Sequence, residues 1–162
     1  PFVFRATERH LNAQGIATLS PVRDQIGSQA TKGQAFLKCF GFTRDPQHAG
    51  TWRAGAWTAV EAYPAPCYHS HLETGFAEHL RWDERFLRET RAGAWPNVAS
   101  DLSDALMCAV VAAVYHQDSA QLLGPSPELH ELAATEGWIW VPADVNVEAL
   151  QNERRGLGEE NL

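Results

Sequence analysis

The chain has 162 residues, 44% of them hydrophobic and six of them tryptophan, which is apolar material for one core and too little length for two. A net charge of −7 argues against nucleic acid as the main partner, because neutralising phosphates needs clustered Lys and Arg and the 13 present are scattered. Cys39, Cys67 and Cys108 stand far apart with no CxxC pair, which fits neither a disulfide framework nor a thiolate zinc site.

Pro1 heads the sequence, and Phe2-Val3-Phe4 reads as a strand running to Ala6. Were Pro1 the mature terminus, it would own a secondary amine whose ordinary pKa of about 8 lies within reach of neutrality. Leu11, Ile16, Leu19, Val22 and Ile26 recur at loosely helical intervals, broken by Gly15 and by Ser20-Pro21. Ser20 suits an N-cap with Pro21 at the first position of a new helix. Gln34–Phe42 is apolar on both alternating faces and reads as a central strand. Trp57–Tyr63 reads as another, closed by Pro64-Ala65-Pro66.

From Thr74 to Arg91, apolar residues at helical spacing among mixed charges predict an amphipathic helix. Ser100 or Asp101 can cap a further helix running to His116. Within it Ala105–Tyr115 is continuously apolar for eleven residues, about half of a bilayer crossing, so it reads as a helix buried on most sides. Ser126 and Pro127 start a helix to Glu136 that Gly137 ends, Trp138–Val141 forms a strand, and a short helix begins near Glu148 before a frayed or partner-docked tail. The pattern is α+β, a single domain of two β-α-β-like units with an inserted helical segment. With no secretory signal and no span in view, the expected location is cytoplasmic, without membrane contact.

FLKCFGFTRDPQHAGTW (Phe36–Trp52) and WIWVPADVNVEALQNERRG (Trp138–Gly156) share a rhythm of strand, acidic proline-containing turn and glycine. Together with Pro1, this resembles the tautomerase superfamily, whose members are built from two β-α-β units and use an amino-terminal proline. The resemblance implies that Pro1 acts as general base or acid next to a carbonyl of a small-molecule substrate, without a cofactor. It further implies that Arg44 or Arg53 binds the substrate carboxylate through the planar guanidinium fork.

A second centre is Cys67-Tyr68-His69-Ser70-His71-Leu72-Glu73. In an extended strand Cys67, His69, His71 and Glu73 share one face, and His69, His71 and Glu73 have the makings of a site for Zn, Fe or Mn, to which His79 could add a ligand. The HxH pair is similar to the first cupin motif, but Glu73 and Glu78 miss its spacing, and no HExxH occurs. The same histidines also suit hydrogen bonds to backbone in a loop, or an acid/base role. Cys67 beside His69 could become a thiolate nucleophile, but no third orienting group is in view and a lone cysteine between prolines and tyrosine is more often unreactive; Cys39 and Cys108 lie in apolar runs that predict burial. Trp52, Trp57, Trp138 and Trp140 suit a pocket, an interface or the core, and His116 suits the C-terminal dipole of its helix.

Three functions follow from these features. The first is a tautomerase-type enzyme using Pro1, Arg44 and Arg53, with a homo-oligomer left open. The second is a metal-dependent enzyme at His69, His71 and Glu73. The third is a non-catalytic acidic protein that docks on a basic partner or inhibits it.

Overall fold

The computed structural model describes residues 4–18, 27–72 and 99–152. The first three residues of the strand expected over Pro1–Ala6, the helix start at Ser20-Pro21, the helix over 74–91 and the tail beyond 152 lie outside the described residues, as do Glu73, Glu78 and His79. Contacts divide the chain into two compact units, each assembled from two stretches. One comprises the described residues within Pro1–Glu61 and Gly124–Ile139, the other those within Ala62–Leu123 and Trp140–Leu162. Helices and a four-stranded sheet make the protein α+β, as its residue pattern implies.

In the first unit, α1 (Ala6–Ala13) starts inside the stretch expected to be strand. Glu8 decides this: its Oε2 accepts a hydrogen bond from Arg5 N at 2.6 Å, satisfying an amide that the first helical turn leaves without a partner. At the other end Ile16 N donates to Leu11 O across Gly15, whose φ of 83° suits glycine, so the break expected at Gly15 is the helix end.

The expectation of a strand over Gln34–Phe42 is overturned, because α2 (Gly27–Cys39) occupies most of that stretch. Its apolar residues satisfy a helical period as well as alternation: Phe36 and Phe40, four apart, bring their rings within 4.6 Å. Gly41 at φ 76° then closes the helix, with Phe42 N donating to Leu37 O. Short apolar runs bounded by glycine fit both periods, and the i, i+4 contact and the glycine cap favour the helix. Cys39, expected in the core, is exposed.

The sheet runs in the order β1 (Thr43–Arg44), β2 (Thr51–Ala54), β3 (Trp57–Ala62), β4 (Ile139–Trp140), with β1–β2 and β2–β3 antiparallel. β1, β2 and β3 follow one another through tight turns and not through helices, which departs from the β-α-β units expected. The β1–β2 turn is organised by Asp45, whose Oδ1 accepts from the amides of Gln47 and His48, and by Gly50, where any Cβ would collide with Trp138. As the sequence indicates, Pro127 opens a helical stretch and Gly137 ends it: a 3₁₀ turn over Pro127–Leu129 leads into α4 (His130–Glu136).

In the second unit a 3₁₀ turn (Ala65–His69) follows β3. Helix α3 (Ala99–Asp118) is the expected core helix, burying Leu106, Met107, Val110, Val111 and Val114. It is not enclosed on most sides, since Ala105, Ala109 and Ala112 are exposed along one face at helical spacing. Tyr115 meets Trp140 edge-on at 4.8 Å, and Leu122 bridges Pro142. Residues 147–152 are helical, where the short helix near Glu148 is expected. Among the described residues no helix is long and apolar enough to cross a membrane.

Candidate functional site

A cleft of about 350 Å³ opens in the first unit, at the small end of the range for metabolite-binding sites. Its apolar walls come from Phe36 and Leu37 of α2, Trp52 of β2 and Val60 of β3. Its charged groups come from four places far apart in the chain: Arg5 at the head of α1, Arg44 of β1, Glu61 of β3 and Glu136 at the end of α4.

The sheet register separates the two arginines singled out in the sequence. Arg44 pairs with Trp52, and Arg53 pairs with Thr43, so alternation places Arg44 and Trp52 on one face and Arg53 on the other. Arg44 lies with its guanidinium carbon 4.9 Å over the Trp52 ring, a cation–π contact between direct cross-strand neighbours. Arg53 is turned to Asp45, with Nε 2.6 Å from Oδ2. Asp45 is 7% exposed; burial opposes its charge, but hydrogen bonds from the Gln47 amide, the His48 ring and amide, and Arg53 hold its carboxyl down at about 2. Arg53 is thus committed to the turn, and only Arg44 lines the cleft.

The two guanidiniums of the cleft differ as sharply. Arg5 is clamped between carboxylates: its Nε donates to Glu8 at 2.8 Å, and its Nη1 and Nη2 donate to the two oxygens of Glu61 at 2.8 and 2.7 Å. Burial works against this cation, yet Glu61 and Glu8 outweigh it and raise the Arg5 pKa. Arg44 makes no salt bridge among the described residues. Its one hydrogen bond there is a long one, 3.5 Å from Nη1 to the Ala134 carbonyl near the negative end of α4. Burial first, and then the like charge of Arg5, lower its pKa, with Glu61 opposing. It stays a cation, pre-oriented by the indole and with donors to spare.

Gly137 sits where these groups meet. Its φ of 91° and ψ of 170° belong to a region that residues with a side chain rarely enter, and a Cβ there would stand 3.6 Å from Arg5 Nη1 and 3.8 Å from both Arg44 Nη1 and Glu61 Oε2. Glu136 points its Oε2 at the Ala6 amide, 2.7 Å away, serving another unpaired donor of the first turn of α1.

The segment Cys67–His71 in the second unit has a different character. The 3₁₀ turn replaces the extended strand on which a shared face for Cys67, His69 and His71 depended. Among the described residues no group of three or more His, Cys, Asp or Glu could hold a metal. His71 Nδ1 lies 2.7 Å from Asp144 Oδ1 and its Nε2 lies 3.1 Å from Gln121 Oε1, so both ring nitrogens face protein oxygens. The backbone of His69 is engaged through its carbonyl, which accepts from Asn146 N at 2.7 Å.

Cys67 is fully buried, its Sγ 3.5 Å from the Tyr63 carbonyl; burial, then Cys108 and Asp104, push its thiol up to about 12. Of the two readings of Cys67, a thiolate beside His69 or an unreactive thiol, its burial supports the second, because apolar surroundings favour the neutral form. Tyr68 donates to Asp104 at 2.9 Å. Trp57 is 75% exposed, Trp138 and Trp140 are core, and Trp52 alone of these four tryptophans lines the cleft.

Of the residues named from sequence for the tautomerase-type site, Arg44 is in the cleft, Arg53 is on the opposite face of the sheet, and Pro1 lies outside the described residues. Arg5, Glu61 and Glu136 escaped that reading. Glu61, a carboxylate inside an otherwise apolar strand, was the one available signal. Comparison with models of known protein families, with curated proteins and with solved structures returned no match.

Proposed function

We propose that the first unit binds a small molecule through a carboxylate held by Arg44, with an apolar body against Trp52, Phe36, Leu37 and Val60. The observation that carries this reading is the state of Arg44: a cation stacked on an indole at a cleft wall, without the carboxylate partners that Arg5 and Arg53 both have. A planar fork with open donors matches a carboxylate bidentately, and the stacked ring limits what the side chain must lose on binding.

The tautomerase-type reaction is the catalytic form of this proposal. It adds proton transfer by the Pro1 amine at a carbon next to a carbonyl, and it requires that amine to be free in the mature protein. Pro1 stands four positions before Arg5, so the chain between them reaches no further than about 14 Å.

Calorimetric titration with 3-phenylpropionate tests the binding step. Arg44→Ala should weaken binding by about ten- to a hundredfold, the scale of a lost charge-assisted contact, while Arg53→Ala should change it by less than about threefold. Equal losses in both variants would overturn the assignment of Arg44. The catalytic step is read separately, as keto–enol conversion of 2-oxo-3-phenylpropionate by protein whose terminus has been verified by intact mass. Acetylation of a free Pro1 should abolish turnover and leave binding of 3-phenylpropionate in place; turnover surviving acetylation would remove Pro1 from the mechanism.

A further inference from the structure

The walls of the cleft carry negative as well as positive charge, and this narrows the ligand class. A site for a bare carboxylate needs only donors, yet Glu61 and Glu136 share the lining with Arg44. Arg5 does not offset both, since its guanidinium is already divided between Glu8 and Glu61. Glu136 spends Oε2 on the Ala6 amide, and its Oε1 has no hydrogen-bond partner among the described residues. Arg44 Nη1 and Glu61 Oε2 each lie 3.8 Å from the point where a Gly137 Cβ would stand. With Arg5 Nη1 nearer still at 3.6 Å, two guanidinium donors and the Glu61 carboxylate, which also accepts from Arg5, flank one small volume that glycine keeps clear.

We propose that the cleft binds a free α-amino acid with an apolar side chain, its carboxylate on Arg44 and its ammonium on the carboxylates of Glu61 and Glu136. The two charged groups of an α-amino acid sit on one carbon, which matches the closeness of Arg44 and Glu61. The side chain then rests among Trp52, Phe36, Leu37 and Val60. A volume of about 350 Å³ holds one such molecule. Two carboxylates facing the ammonium reject a second carboxylate, so acidic amino acids are excluded by repulsion as well as by the apolar walls. This inference rests on the carboxylate reading of Arg44 and is independent of any proton transfer by Pro1.

Calorimetry of the full chain with three probes of one shape tests it: phenylalanine, 3-phenylpropionate and 2-phenylethylamine. Phenylalanine should bind at least about tenfold tighter than either relative, which each satisfy one charge only. In Glu136→Gln the advantage of phenylalanine over 3-phenylpropionate should shrink severalfold. Should that variant fold poorly, the ranking of the probes on the unaltered chain decides alone. If 3-phenylpropionate binds as tightly as phenylalanine, the amino-acid proposal is overturned and the carboxylate reading stands. If none of the three binds, the carboxylate reading falls with it. If 2-phenylethylamine matches phenylalanine, Arg44 has no carboxylate to hold and both are overturned.

Discussion

Arg44 in its cleft and the Cys67–His71 segment were both marked from sequence, the first through a resemblance and the second through its reactive residue types, and the structure treats them in opposite ways. In the turn the protein itself engages the polar atoms: Ser70 Oγ donates to the Cys67 carbonyl, Tyr68 to Asp104, and both ring nitrogens of His71 face oxygens. In the cleft a guanidinium is oriented but left with donors unspent. Chemistry with something outside the chain needs unsatisfied valence, and residue identity alone does not report it.

The sharpest test of this contrast is thiol reactivity. Cys67, held near 12 in place of an ordinary 9, should carry about a thousandfold less thiolate than an unperturbed cysteine. Iodoacetamide at pH 8 followed by peptide mapping should therefore label exposed Cys39 first and reach Cys67 only on unfolding. Early labelling of Cys67 in the folded protein would break the contrast, since the turn would then hold a live nucleophile.

A smaller but still large effect is expected at the hub of the cleft. Gly137→Ala forces a side chain into a glycine-only conformation between Arg5, Arg44 and Glu61, and should cost about 1–3 kcal/mol in denaturant melts while weakening 3-phenylpropionate binding. A neutral outcome would show that the convergence at Gly137 is not constrained.

Acid titration sharpens the comparison through Asp45, which fixes the turn joining the strands of Arg44 and Trp52. Its folded value is depressed from 3.8 to about 2, so its contribution is fully present above 3.8 and is lost as pH falls towards 2. Stability measured across that window should decline, and Asp45→Asn should flatten this part of the profile. An unchanged profile in the variant would mean that Asp45 does not hold the turn.

The smallest effect belongs to His71→Ala. Its side chain and that of Asp144 are 39% and 49% exposed, and pairs so screened contribute about 1 kcal/mol or less. Desolvation opposes the charge of Asp144, yet its contacts with His71 lower its pKa, so removing the ring should let it titrate closer to its ordinary value, observable by carboxyl NMR. A loss of ligand binding in this variant would instead give the turn a part in function.

How much was legible depended on how far apart the deciding residues stand. Gly15 as a helix end, Pro127 and Gly137 around α4, and the span of β3 were readable because neighbouring residues settle them. Of the cleft's lining, Trp52 was legible as one of four tryptophans that suit a pocket, and Arg44 through the resemblance. Their contact comes from strand pairing, the quenching of Arg5 from Glu61 at a separation of 56, and the Ala6 amide is served by Glu136 at a separation of 130. No local pattern encodes such pairings.

By itself, then, the amino-acid order determined the α+β character, the core helix α3 and the places where glycine and proline end elements, because these follow from backbone conformation and hydrophobic period within a few residues. The choice of helix over strand at Gln34–Cys39 is local too, made by the Phe36–Phe40 contact and the Gly41 cap. Tertiary structure decided that Cys39 is exposed while Cys67 is sealed, and that Arg44 faces a cleft while Arg53 serves a turn. Each of these depends on which partner reaches a group first, and the partners arrive from distant parts of the chain.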